Sequence, residues 1–95
     1  MREDLKKRAI QRAKILEGQV RGLQRAIDAE EYCMDIITQS LAIQKSLGSL
    51  NKLIAENHLT THIEHMMKSG DSKLVAKAQE EMLKLFELTN NRSSK

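Results

Sequence analysis

Proline and tryptophan are missing from this 95-residue chain, and cysteine, tyrosine and phenylalanine occur once each, as Cys33, Tyr32 and Phe86. Without proline nothing in the sequence removes a backbone donor or forces a kink, so long helices can run uninterrupted. One cysteine cannot close a disulfide within the chain, and in a reducing compartment its thiol stays available as a ligand or nucleophile. So few bulky aromatics leave a short chain little with which to build a private core, which points to self-association as the remedy. No apolar run approaches the roughly 20 residues needed to span a bilayer, and Met1-Arg2-Glu3-Asp4 lacks the apolar stretch of a signal peptide, so the expectation is a soluble, cytoplasmic protein with no membrane partner. Also lacking are a glycine-rich phosphate loop, a serine nucleophile in an elbow, and a glutamate between His58 and His62 to serve a zinc hydrolase as general base. An enzyme is not expected.

What is present is a wealth of Leu, Ile, Ala, Lys, Glu and Gln, the residues of helices. The chain reads as all-α and as one domain over residues 1–95, with an ordered core over about 4–89 and a frayed tail over 90–95. Leu5, Ala9, Ala13, Leu16, Val20, Leu23 and Ile27 recur at steps of three and four, which predicts a first helix over about 4–29 with Asp4 as its N-cap. Gly18 and Gly22 fall in its middle, where each costs about 1 kcal/mol against alanine and suggests close approach by another helix or by a phosphate backbone. Glu30-Glu31-Tyr32 is the expected break. Ile36, Ile43, Leu47, Leu50 and Ile54 then lead into His58 and His62, predicting one continuous second helix over about 32–67 with the histidines on its packing seam. Ser69-Gly70-Asp71-Ser72 is a stop, with Gly70 suited to the left-handed position and Asp71 or Ser72 to capping the next helix. That third helix, over about 73–88, carries Leu74, Ala78, Met82, Leu85 and Phe86 for docking.

Charge is distributed unevenly. Residues 1–25 hold eight basic side chains (Arg2, Lys6, Lys7, Arg8, Arg12, Lys14, Arg21, Arg25) against Glu3, Asp4 and Glu17, a balance of +5, which leaves −2 for the rest of a chain of net charge +3. A helix with one apolar stripe and a basic remainder suits a core on one side and a polyanion, nucleic acid first of all, on the other. Solvation of a surface helix is the plainer account of the same residues.

The most specific constellation is Cys33 with His58 and His62. Histidines at i and i+4 project from one face of a helix at the spacing an imidazole pair needs to hold one metal ion, and a thiolate with two imidazoles suits a soft or borderline transition metal. If one helix joins them, the 25 residues from Cys33 to His58 span roughly 37 Å, so one chain cannot close such a site. An antiparallel pair of these helices can, placing Cys33 of one subunit beside His58 and His62 of another and making two equivalent sites about a twofold axis. His65 is either a further ligand or an exposed residue of the last turn. Tyr32, next to the thiol, either hydrogen-bonds beside the site or anchors a poor core.

Three segments carry a resemblance to a known family: Glu17-Gly18-Gln19-Val20-Arg21-Gly22, Tyr32-Cys33-Met34-Asp35-Ile36 and Asn57-His58-Leu59-Thr60-Thr61-His62. Over about residues 5–88 the chain resembles the copper-sensitive operon repressor family, which has nickel/cobalt- and formaldehyde-responsive relatives. The resemblance implies a three-helix protomer, an antiparallel four-helix-bundle dimer, a dimer-of-dimers tetramer, and a repressor that leaves its operator DNA on binding metal. It puts Cys33, His58 and His62 at the ligand places, Glu81 where a carboxylate links the third helix to the site, and Arg12, Lys14, Gln19, Arg21 and Lys52 at or near operator-contacting positions. Copper sensors more usually have a second cysteine where His62 stands, which leaves the metal open among Cu(I), Ni(II), Co(II) and Zn(II). The nickel/cobalt branch adds an N-terminal histidine, which this chain lacks. The formaldehyde branch needs an N-terminal proline and the persulfide branch a second cysteine; Arg2 and the solitary Cys33 argue against both. Three protein ligands favour Cu(I), which is content with a trigonal set. The reading from another class is a helical metal buffer or interaction protein without an operator.

Overall fold

The structure, a computed structural model, describes residues 1–93, with side chains described through residue 88. It is all-helical, with no strand among the described residues. Helix α1 spans Glu3–Asp28 and α2 Cys33–His58; a π-helical turn, Leu59–Ile63, leads into the short α3, Glu64–Lys68, and α4 spans Ser72–Ser93. None of these helices is long and apolar enough to cross a membrane. The chain divides into two compact units, residues 3–54 and residues 1–2 with 55–95, and α2 contributes to both.

In the unit formed by residues 3–54, α1 starts one residue before the predicted cap. Asp4 therefore lies inside the first turn beside Glu3, where carboxylates oppose the positive end of the helix. The predicted seam of α1 separates into two lines. Leu5, Ala9 and Ala26 are buried and Leu16 and Leu23 half-buried, whereas Ala13, Val20 and Ile27, spaced by sevens, stay exposed. A spacing of seven falls short of two full turns by about 20°, so these three residues form a stripe of their own beside the buried one. Gly18 has open space where a Cβ would stand, and Gly22 meets the Arg25 guanidinium at 3.8 Å, so among the described residues no backbone from elsewhere in the chain makes the close approach expected there.

The connection between α1 and α2 is built without glycine. The Glu30 amide donates to the Ile27 carbonyl at 3.0 Å and the Glu31 amide to the Ala26 carbonyl at 3.1 Å, the paired bonds of a Schellman ending, and Glu30 sits at φ 51°. The Tyr32 carbonyl then accepts from the amides of Asp35 and Ile36 to open α2. Along α2 the inward line is Ile36, Ile43, Leu50 and Leu53, while Leu47 and Ile54 of the predicted pattern remain exposed.

In the other unit, α4 lies against the π turn and α3, and Ile63 and Ala78 are buried there. The stop after α3 follows the predicted chemistry. Gly70 takes φ 76°, the Ser69 hydroxyl donates to the Met66 carbonyl at 2.7 Å, and the Asp71 carboxylate accepts from the Lys73 amide at 2.9 Å as the N-cap of α4. Helix α4 extends beyond the predicted end at residue 88, through Ser93, so residues 90–93 of the expected tail are helical and 94–95 lie outside the described residues. Its inner line is Leu74, Val75, Ala78, Glu81 and Leu85, with Met82 and Phe86 exposed, because Glu81 occupies the inward position that the apolar pattern had given to Met82.

Glu30 holds a left-handed conformation that costs an L-residue with a side chain roughly 1–2 kcal/mol and glycine almost nothing. Glu30→Gly should therefore stabilise the chain by about 1 kcal/mol in urea unfolding at fixed protein concentration. An unchanged or lowered midpoint would show that the Glu30 side chain makes a compensating contact.

Candidate metal centre

His58 is the last residue of α2 and is half-buried. Its Nε2 lies 2.6 Å from Oε1 of Glu81 on α4. A carboxylate can only accept, so Nε2 carries the proton and, in the neutral ring, the lone pair is left on Nδ1. A metal approaching His58 is thereby offered one defined nitrogen, and the ring plane is fixed by a contact from another helix.

His62 lies in the π turn and is exposed, not on the packing seam where its spacing had placed it. The Glu64 amide donates to the Leu59 carbonyl, five residues back, and this wider winding distinguishes the turn from the helices on either side. The His58 and His62 rings stand at a centroid separation of 5.3 Å with a tilt of 40°. Two threonines hold the turn. The Thr60 hydroxyl donates to the Glu56 carbonyl at 2.9 Å and the Thr61 hydroxyl to the Asn57 carbonyl at 2.6 Å, giving the carbonyls at the entrance to the turn extra donors where the regular ladder is disturbed. Asn57, 6% exposed, accepts the Arg2 amide on Oδ1 at 2.9 Å, and the Arg2 guanidinium reaches the Thr60 hydroxyl at 3.3 Å.

The structure thus joins His58, His62 and Glu81 as a pair of imidazoles with a carboxylate behind one of them. Among the described residues no group of three or more His, Cys, Asp and Glu side chains is arranged to hold a metal within the chain. Cys33 is an exposed free thiol in the first turn of α2, Tyr32 beside it is exposed, and His65 is exposed on α3. Two imidazoles of one turn and a thiol carried elsewhere on the chain are donor types that suit a soft metal. Asn57, Thr60 and Thr61 enter the sequence reading only as parts of a motif, and Arg2 only as a basic residue in the place of an N-terminal proline; none is expected there as a support of the histidine turn. The adjacent threonines inside an apolar helical pattern were the available signal, since their hydroxyls back-bond to carbonyls a turn earlier.

The basic side chains named from the sequence do not share one face. Lys14 and Arg21, seven residues apart on α1, are exposed on the side opposite Leu16 and Leu23, and Lys7 and Arg25 continue the same line. Arg12 is exposed but lies on the side of the buried line, and Gln19 is half-buried there, with a buried Oε1 that has no hydrogen-bond partner. Arg21 is 3.8 Å from Glu17 in an exposed pair that contributes little to stability. Lys52 is exposed on α2.

Residues 5–88 match the family of metal-sensitive transcriptional repressors, and the chain belongs to that family. It is 35% identical over 75 residues to the copper-sensing transcriptional repressor CsoR of Bacillus subtilis (strain 168), a match that covers 79% of this chain and 71% of the relative. Against CsoR of Mycobacterium ulcerans (strain Agy99) it is 36% identical over 58 residues, 61% of this chain and 50% of that one. Against the copper-sensing repressor RicR of Mycobacterium tuberculosis (strain ATCC 25618 / H37Rv) it is 34% identical over 59 residues, 62% of each. The chain therefore spans about half to seven tenths of these relatives. No solved structure matches.

Thr61 is half-buried, and its hydroxyl makes the shortest of the threonine bonds around the turn. Thr61→Val keeps the shape and removes the donor, so it should destabilise the chain by about 1 kcal/mol, measured by urea unfolding. A variant as stable as the parent would show that the turn does not depend on this bond.

Proposed function

We propose that this chain is a Cu(I)-responsive transcriptional repressor that holds operator DNA when metal-free and releases it when Cu(I) binds at Cys33, His58 and His62. The observation that carries the reading is the hydrogen bond from His58 Nε2 to Glu81, which reserves Nδ1 for a ligand while His62 stands 5.3 Å away in the same turn. Two imidazoles need a third donor, and a thiolate is the one that suits Cu(I). Cys33 and His58 occupy opposite ends of α2, so a second subunit is the source of the thiol: Cys33 from one protomer, the histidines from its partner. Exposed apolar side chains on α1 and α2, among them Val20, Ile27, Ile37, Leu41 and Ile54, are the surface such a pairing would bury, in a four-helix-bundle dimer and a dimer-of-dimers tetramer. Bound there, Cu(I) would be held by the Cys33 thiolate and the His58 and His62 imidazoles and would supply a soft Lewis acid. Glu81 orients His58 and ties α4 to any movement of the ring. The similarity to copper-sensing repressors supports copper over nickel or cobalt.

The decisive experiment is a titration of operator-bound protein with Cu(I), Ni(II), Co(II) and Zn(II), read by fluorescence anisotropy. Cu(I) should release the DNA at the lowest free concentration; release by Ni(II) or Co(II) alone would reassign the metal, and metal binding with no effect on DNA would make the chain a metal buffer. Cys33→Ala should keep metal-free operator affinity and lose the Cu(I) response. Unchanged induction in that variant would exclude the site.

Operator contact falls to the exposed stripe of Lys7, Lys14, Arg21 and Arg25, with Arg12, Gln19 and Lys52 outside it. Replacing Lys14 and Arg21 by alanine should weaken operator binding and flatten its dependence on log salt by about one unit of slope for each phosphate no longer neutralised. Cu(I) affinity should stay as it was. Wild-type affinity and slope in the double variant would place the DNA on another surface.

A further inference from the structure

Arg2 is joined to the histidine turn at two points. Its backbone amide donates to Asn57 Oδ1 at 2.9 Å and its guanidinium donates to the Thr60 hydroxyl at 3.3 Å. Asn57 is the buried polar residue immediately before His58, and Thr60 lies within the π turn between His58 and His62. Thr60 is satisfied on both sides, giving its hydroxyl proton to the Glu56 carbonyl and accepting from Arg2. In the chain, Arg2 immediately precedes α1, which carries seven of the 16 Lys and Arg side chains, all within residues 6–25.

We propose that Arg2 is a positioning residue for the metal response: a strap that clasps the histidine turn in the metal-free, DNA-holding state and links the start of the basic helix to it. The inference rests on the repressor reading above. The turn holds the wide winding in this structure, and drawing His58 and His62 onto one ion would shift the stretch to which Asn57 and Thr60 belong. A strap that fits the metal-free winding better than the metal-bound one opposes metal binding and favours DNA binding by the same factor, since a contact shifts an equilibrium only by its difference between the two states. Removing the strap should therefore have opposite effects at the two sites.

The test uses the full chain and four proteins: wild type, Arg2→Ala, Thr60→Val and the double variant. Cu(I) affinity is measured by competition with a chromophoric chelator, and operator affinity of the metal-free protein by anisotropy across a salt series. Arg2→Ala should bind Cu(I) about threefold to tenfold more tightly and metal-free operator weaker by a similar factor, the equivalent of about one hydrogen bond. Thr60→Val, which changes no charge, should move both in the same directions, and the double variant should do no more than Arg2→Ala. If Arg2→Ala weakens operator binding with a flatter salt dependence and leaves Cu(I) affinity alone, Arg2 is a phosphate contact and the strap is overturned. If both affinities fall together, the residue is only structural and the strap is likewise overturned. A wild-type chain that ignores Cu(I) would instead refute the repressor reading itself, so the two failures are told apart.

Discussion

The 2.6 Å hydrogen bond between His58 Nε2 and Glu81 Oε1 is the contact on which the site depends. It joins the end of α2 to α4, would leave Nδ1 for the metal of the proposed site, and explains why a carboxylate sits on the inner line of α4 where the pattern would have accepted an apolar side chain. Both partners are about a third exposed as side chains, so the bond is worth little as a free-energy term on its own. Its value is directional. A ring held in one plane by a neighbouring helix presents a ligand without searching, and any displacement of that ring is felt by α4.

How far the sequence could be read follows from which residues act locally. The stop at Ser69-Gly70-Asp71 was legible because each step is a short-range rule: a left-handed glycine, a hydroxyl on the last carbonyls, an aspartate on the next amides. The helices and the histidine pair were legible for the same reason, through spacing. The ending of α1 hid its chemistry, because Glu30 takes the place that glycine usually holds and nothing in the residue type announces φ 51°. The π turn also escaped periodicity. A pattern of i and i+4 assumes regular winding, whereas here two threonine hydroxyls and the Arg2 contacts support a wider one, and the second of those lies 58 residues away in sequence. The seam of α1 was misread for a related reason: steps of three and four do not separate a buried line from an apolar line beside it.

That second line is informative. An isolated helix face with Ala13, Val20 and Ile27 at sevenfold spacing has the repeat of helices that pack side by side, and in this chain it stays uncovered. In this chain, with one phenylalanine and no tryptophan, Leu5 is the only large side chain completely buried among the described residues. The shortage of bulk goes with an apolar surface left exposed; in the proposed dimer another copy would cover it, and a metal site divided between two subunits would make that meeting part of the response.

The energies involved are small and of one size. A repressor whose metal lowers DNA affinity about a hundredfold needs a coupling free energy of about 2.7 kcal/mol. One hydrogen bond in a protein contributes about 1 kcal/mol net, so two or three contacts that differ between the states are enough. The histidine turn gathers such contacts in one short stretch: Glu81 on His58, Thr60 and Thr61 on the preceding carbonyls, Arg2 on Asn57 and Thr60. A regular helix would bury its backbone bonds in a ladder that changes little when a side chain binds an ion. A π turn instead passes part of its bonding to side chains, and side chains are what a metal rearranges. In the proposed repressor the turn is therefore the place where ligand binding and backbone conformation would be least separable, and the residue just ahead of the basic helix is bonded to it.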